Sequence, residues 1–246
     1  ELFTQFGITV GDSEDFVTYA LAGGQVILAL DFDGSDDLVD YGDLGAIDGA
    51  AALTICWWMY VDTLEAASAY LSKYDNSTGL LIYGNPTSSD LSYWIAGNRG
   101  EATIISTGAW NHYGFVFDGA GTGNSGRLQM YEDGVAQTLT FTGTIPATIP
   151  STGATTFTVG YNAFVGSQDI RVAHIRIWTA ALTAAQVAQE VWSYYPARTA
   201  DLLLWSPYDD GTTAGDYSGN GNNGTVTGAV QVSGPPVAVH APVAVL

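Results

Sequence analysis

The sequence predicts an all-β protein: an antiparallel sandwich that carries one short helix near residues 183–192. Three observations lead there. Apolar residues alternate with polar ones at period two in run after run along the chain. Thirty glycines against only 8 prolines suit many short strands joined by tight turns. A helical period occurs once, behind a clear capping signal. With 246 residues, 47% of them hydrophobic and 12% aromatic, the chain is long enough for one such sandwich and its core.

Residues 1–27 combine apolar patches, "LFTQFGITV" and "FVTYALAGG", with an acidic break, "GDSED". They read as an arm lying on a surface. Leu2, Phe3, Phe6, Ile8, Phe16 and Tyr19 carry too much apolar area to leave in water, so they are the expected assembly contacts. The acceptor is another copy of the chain or a larger protein shell, with packing back onto the same sandwich as the alternative.

The first strand follows. Leu28, Leu30 and Phe32 alternate with Ala29, Asp31 and Asp33, which puts the two aspartates on the face opposite the core. "LTICWWMYV", "AYLSKYD", "GLLIYGN", "LSYWIAG", "ATIISTG", "NHYGFVFD", "RLQMYED", "VAQTLTFTG", "TFTVGY" and "RVAHIRIW" continue the pattern. The dipeptide Asp133-Gly134 joins two of these runs and is the strongest hairpin signal in the chain. Trp57 or Trp58, and Trp178, are expected in the core. In "LTAAQVAQEVW", Thr183 and Gln186 stand at capping-box spacing, and Val187, Val191 and Trp192 form an apolar face. The helix is expected to close one edge of the sandwich. Residues 202–229 resume strand-turn-strand, and residues 234–246 read as a Pro-Val-Ala tail.

Charge excludes several functions. Six cations face 25 acidic residues, a formal net charge of −19, so nucleic acid and anionic membranes are disfavoured as partners. No apolar run is long enough to span a bilayer. Cys56 is alone in an apolar setting and reads as a small buried hydrophobe. His112, His174 and His240 lack metal-ligand spacing, and no G-x-S-x-G elbow occurs. Glu132 and Asp133 adjoin each other, so on a strand they point to opposite faces and cannot flank a glycosidic bond. No catalytic residue is assigned, and the chain is read as a non-enzyme. "NST" at Asn76 and "NGT" at Asn223 match the N-glycosylation acceptor pattern.

"LDFDGSDDLVDYGD" places six aspartates in fourteen positions. It fails as an EF-hand loop, because Asp36 occupies the glycine position and Gly42 the closing glutamate. Asp40, Asp43 and Asp48 read as solvent-facing. Tyr93, Trp94, Tyr161, Phe164, Tyr194 and Tyr195 could contribute to a glycan site, but the sequence assigns no sugar-binding residue.

The order "ALDFDGSDDLVDYGD", "LTICWWMYVD", "YLSKYD", "GAWNHYGFVFDG", "LQMYEDGV", "FTVGY", "IRVAHIRIWTAALTAAQV" resembles the laminin-G-like branch of the concanavalin A-like lectin/glucanase superfamily. The likeness covers roughly residues 27–192 and implies a jelly roll, with a laminin-G-like unit over residues 28–233. Residues 202–229 resemble a segment that in relatives commonly precedes the "FDG" strand. Their displacement implies a hairpin that closes this sandwich, as in a circular permutation, or one that pairs with a neighbouring copy. The resemblance also implies a calcium ion on the sandwich rim, held by Asp33, Asp36 and Asp37 and joined by Asp169. Ala173 and His174 depart from the acidic pair common in relatives, and a solvated turn is the alternative. Similarity to surface proteins of phage and metagenomic origin implies a coat, decoration or fibre component outside the cell or on a virion. A calcium-assisted glycan-binding adhesin is the alternative, and a glycan-cleaving enzyme a distant one.

Overall fold

The computed structural model describes residues 27–64, 68–85, 89–209 and 213–235. The six expected assembly contacts of the arm lie outside these described residues, as does His240. In chain order the strands are β1 (Leu28–Asp33), β2 (Leu38–Asp40), β3 (Ala52–Thr63), β4 (Ser68–Tyr74), β5 (Gly79–Asn85) and β6 (Asp90–Ile95). Then come β7 (Asn98–Thr103), β8 (Trp110–Asp118), β9 (Leu128–Glu132), β10 (Val135–Ala136), β11 (Thr140–Thr142) and β12 (Thr158–Gly160). The last are β13 (Asp169–Trp178), β14 (Leu202–Ser206), β15 (Thr213–Ala214), β16 (Gly224–Thr227) and β17 (Val230–Ser233). The α-helices are α1 (Gly123–Arg127) and α2 (Ala184–Val191), with a 3-10 turn at Gly45–Ile47.

These strands form two antiparallel sheets packed face to face, as the sequence pattern predicts. The eight-stranded sheet runs β10-β9-β8-β3-β13-β1-β17, with β14 also paired to β13. The nine-stranded sheet runs β11-β7-β6-β5-β4-β12-β2-β16-β15. Period two decides what lies between them. Leu30 and Phe32 of β1, Ile55, Trp57 and Met59 of β3, and Phe115 and Phe117 of β8 meet Leu80, Ile82, Leu91 and Tyr93 from the opposing sheet. Each of these large side chains is almost fully shielded from solvent, and burying one contributes about 1.5–3 kcal/mol.

Residues 202–229 divide between the two sheets instead of forming one hairpin. β14 pairs Ile175–Trp178 of β13, end to end with β1, which pairs residues 169–172 of the same strand. β16 pairs β2, and the following β17 pairs β1. All of these pairings lie within one sandwich.

Several local expectations need correction. The run at residues 102–108 is a strand only to Thr103; the pairing segment begins earlier, at Asn98. Residues 135–143 break into β10, which pairs β9, and β11, which pairs β7 in the other sheet. The Asp133-Gly134 turn between β9 and β10 has both residues at positive φ, 48° and 78°, as a two-residue hairpin turn requires. A second, five-residue helix, α1, occupies the glycine-rich "GAGTGNSG" stretch.

Helix α2 carries the expected capping box, Thr183 with Gln186, but it does not close an edge. It lies on the outer face of the eight-stranded sheet. Val187 packs there with Cys56, Val116, Tyr131 and Trp178, and Val191 packs with Ala29, Trp58, Ala173 and Tyr194. Trp192 is 63% exposed and does not belong to the packed face. Cys56 is fully buried beneath this layer, where burial pushes its thiol up and away from reactivity.

Candidate functional site

The aspartate-rich stretch forms a turn between β1 and β2 at the sandwich rim. Asp37 Oδ2 accepts from Asp33 N at 3.0 Å, and Asp33 Oδ1 accepts from Ser35 N at 2.9 Å. Ser167 donates to the carbonyls of Gly34 and Ser35, 2.6 and 2.8 Å away. The turn is fixed from the other side by close backbone approach. Gly160, at φ 88°, runs so near that a Cβ there would stand 2.7 Å from the Asp37 carbonyl and 2.5 Å from the Phe32 ring. Carboxylate oxygens of Asp33, Asp36 and Asp37 come within 4.8 Å of one another. Three hard oxygen donors with adjoining carbonyls suit a calcium ion in chemistry, although two of the carboxylates are also engaged by turn amides.

Asp169 stands opposite Asp33 in register, yet its carboxylate gathers with Asp31 and Asp62 in a second cluster that the sequence did not reveal. The three come from β1, β3 and β13, neighbouring strands whose outward residues coincide on one face. Arg171 lies among them, 2.9 Å from Asp62 and 3.7 Å from Asp31, with its guanidinium 4.7 Å from the Tyr60 ring centroid. Desolvation raises the carboxyls of both Asp31 and Asp62; Arg171 opposes the shift and the neighbouring aspartates add to it.

Asp43 and Asp48 are not simply solvent-facing. They hold Lys73, the only lysine in the chain, at 2.8 and 3.3 Å. Lys73 is buried, and its ammonium also donates to Thr152 Oγ1 and to the carbonyls of Gly153 and Thr155. One cation thereby fixes the 152–155 loop against the nine-stranded sheet. Asp40 closes its own turn by accepting from Gly42 N.

Beside that loop, the outer surface of β2, β4 and β12 forms a cleft of about 210 Å3. Tyr74, Tyr161 and Phe164 supply its aromatic walls, and Thr155, Thr156 and Thr158 supply hydroxyls. Leu38, which follows Asp37 directly, and Asn162 complete the part nearest the rim. Asn162 organises the tip: its amide donates to Ser72 Oγ, its carbonyl accepts from Phe164 N, and its backbone pairs with Gly166. That tight loop holds Phe164 out, 55% exposed, with its ring 6.4 Å from Tyr74. Trp94 stands behind Tyr74, ring centroids 4.9 Å apart.

The sequence's aromatic candidates therefore separate. Tyr161 and Phe164 line the cleft, Trp94 supports it, and Tyr93 is buried in the core with its hydroxyl on the Gly114 carbonyl. Tyr194 and Tyr195 lie across the molecule on the other sheet, in a cluster with Trp205. Tyr74 and the threonines went unrecognised, because neighbours on adjacent strands are distant in sequence.

The family model described as Concanavalin A-like lectin/glucanases superfamily matches residues 33–188, more than half of the chain. No curated protein matches the sequence. Among solved structures, a "putative carbohydrate binding protein" from Bacteroides ovatus is similar at a TM-score of 0.67 and 18% identity. The match covers 88% of this chain and 63% of that one, so the chain spans less than two thirds of that protein's length. A heptameric SAP-like pentraxin from Limulus polyphemus matches at a TM-score of 0.47 and 16% identity, covering 68% of this chain and 82% of its own. Domain 4 of an extracellular arabinanase from Geobacillus stearothermophilus, in complex with arabinotriose, matches at 0.48 and 18%, covering 69% and 82%.

Proposed function

The chain belongs to the concanavalin A-like lectin/glucanases superfamily, and from that premise we propose that it is a non-catalytic carbohydrate-binding surface module whose sugar sits in the cleft at Tyr74, Tyr161 and Phe164. The observation that carries this reading is the cleft itself. Aromatic faces stand beside clustered threonine hydroxyls, the combination that suits the apolar faces and hydroxyl rim of a sugar ring. The absence of catalysis is supported by how the acids are used. Of the two carboxylate clusters among the described residues, one is ion-paired with Arg171 and the other is built into a turn. No helix among the described residues is long and apolar enough to cross a membrane. Placement outside the cell accompanies this reading.

Glycan-array binding of the whole chain tests it. Phe164→Ala should weaken the strongest signal at least tenfold, about 1.4 kcal/mol, without unfolding, because Phe164 is more than half exposed. No bound glycan should be cleaved. Undiminished binding by the variant, or release of reducing ends, would count against the proposal.

Calcium at Asp33, Asp36 and Asp37 is the second part of the reading, since those residues supply the oxygen donors and lead directly into Leu38 of the cleft. The ion would contribute positive charge to an acidic turn and stiffen it. Calcium at about 100 times its Kd should stabilise the fold by about 2.7 kcal/mol. The rise in Tm should be lost with a chelator and absent in Asp36→Asn. Identical melting curves with calcium and with chelator would leave a solvated turn. The alternative of a self-assembling coat, decoration or fibre component rests on the apolar ends of the chain, the missing catalytic set, the glycine-rich sandwich and the likeness to surface proteins; residues 1–26 and 236–246 lie outside the described residues.

A further inference from the structure

We infer that the cleft selects neutral sugars and rejects acidic ones; this rests on the reading of the cleft as a carbohydrate site and adds the class of sugar. Proteins that bind uronates, sialic acids or sulfated glycans need a cation to meet the anionic group, most effectively a fork of guanidinium donors. The chain has six cations, and the structure accounts for all of them elsewhere.

Lys73 is buried between Asp43 and Asp48, with its remaining donors on a hydroxyl and two carbonyls. Arg99 pairs with Glu101 at 2.9 Å, Arg171 with Asp62 at 2.9 Å, and Arg176 with Glu190 at 2.6 Å. Arg198 pairs with Asp201. Arg127 donates to the carbonyls of Gly121 and Ile145. None of the six lines the cleft.

Lys73 comes nearest in connectivity, since it holds the Thr155 carbonyl, but its ammonium serves the loop from behind and is almost fully shielded from solvent. The acids lie the other way. Asp37 adjoins the lining residue Leu38, Asp75 adjoins Tyr74, and the whole chain carries −19. An anionic sugar would enter against that field with no side-chain cation in the lining to meet it; calcium at the rim turn would offset part of this, so the contrast should be sharpest in chelator. Threonine hydroxyls, which carry no charge, match a neutral ring, while the Asn162 amide is engaged by Ser72 and Phe164. The volume, about 210 Å3, is below the 300–1,000 Å3 usual for drug-sized ligands, so about one ring enters and the rest of a glycan stays outside.

The test uses the whole chain and its Thr156→Lys variant, titrated with calcium and with chelator against neutral gluco-, manno-, galacto-, xylo- and arabino-oligosaccharides and against uronate and sulfated oligosaccharides of matched length. Neutral ligands should bind the parent chain, and acidic ones should bind at least tenfold more weakly. Thr156→Lys, which adds one cation to the half-buried lining, should narrow that gap. Acidic glycans binding the parent as well as neutral ones, in a manner that Phe164→Ala abolishes, would overturn the selectivity and leave the carbohydrate reading standing. Failure of every sugar class to bind would overturn the carbohydrate reading and the selectivity with it.

Discussion

Arg176→Met should cost the fold about 3–5 kcal/mol, the range for breaking a buried ion pair from one side. Arg176 is 1% exposed at the centre of the layer between the eight-stranded sheet and α2. Its Nη1 donates to Glu190 Oε2 at 2.6 Å and to the Glu190 carbonyl at 3.0 Å. Its Nη2 donates to the carbonyls of Ser193 and Tyr194 just beyond the helix, and lies 3.2 Å from His174 Nδ1. A single guanidinium thus satisfies one carbonyl of the helix's last turn, Glu190, and two more in the segment that follows, where positive charge is favoured. Burial pushes the Glu190 carboxyl up, and Arg176 is the charge that opposes this. Methionine would fill much of the volume but strand Glu190 with only the Ala197 amide as partner. In urea melts, Arg176→Met should unfold well below the parent, and adding Glu190→Leu should recover much of the loss. A single variant within 1 kcal/mol of the parent would show that the network does not hold the layer.

Acidification should destabilise the protein steeply below about pH 6.5, through His112 and His174 in the same layer. Both are 1% exposed. Burial, with Arg176 as second cause, pushes His112 down to about 3 and His174 well below its ordinary value of 6.5. The unfolded chain therefore binds protons that the folded chain refuses. Stability is full above 6.5 and falls as pH drops from there toward the folded values, by up to about 1.4 kcal/mol per pH unit for each histidine. The charged groups facing this pair are Arg176 and, behind it, Glu190. Asp31 and Asp62 work in the opposite direction. Their raised carboxyls bind protons in the folded state first, so acidification favours the fold there, in a smaller measure because both are partly exposed. Melts from pH 7.5 to 5 on the parent and on the His112→Gln, His174→Gln pair separate the two. The double variant should show a much flatter slope; an unchanged slope would place the titration elsewhere.

Both predictions concern residues whose burial the sequence conceals. His174 and Arg176 sit in "RVAHIRIW", where the apolar alternation changes phase between Val172 and Ile175 but leaves both polar residues reading as the outward face of a half-buried strand. A bulge between Ala173 and Arg176, with His174 at φ 53°, interrupts the pairing with β3 inside that run. The charged face is then covered by α2 and the segment after it. That cover belongs to a helix which the capping box announces but does not aim.

The sequence by itself determined the fold class, the core face of the first strand, the capped helix and the rim turn. Those follow from local physics: period-two alternation, positive-φ turn residues and a reciprocal cap need only near neighbours in the chain. It also brought Asp33, Asp36 and Asp37 together, because five consecutive positions through a turn cannot place them far apart. Only the tertiary structure decided that Asp169 joins Asp31 and Asp62, that Asp43 and Asp48 serve Lys73, and that residues 202–229 divide between the sheets. The cleft is of the same kind. Its walls come from β2, β4 and the 155–164 segment, up to 126 residues apart, and which strands lie side by side is set by pairing across the whole sandwich. A pattern that repeats every two residues tells each strand which face to bury, and carries no information about its neighbour.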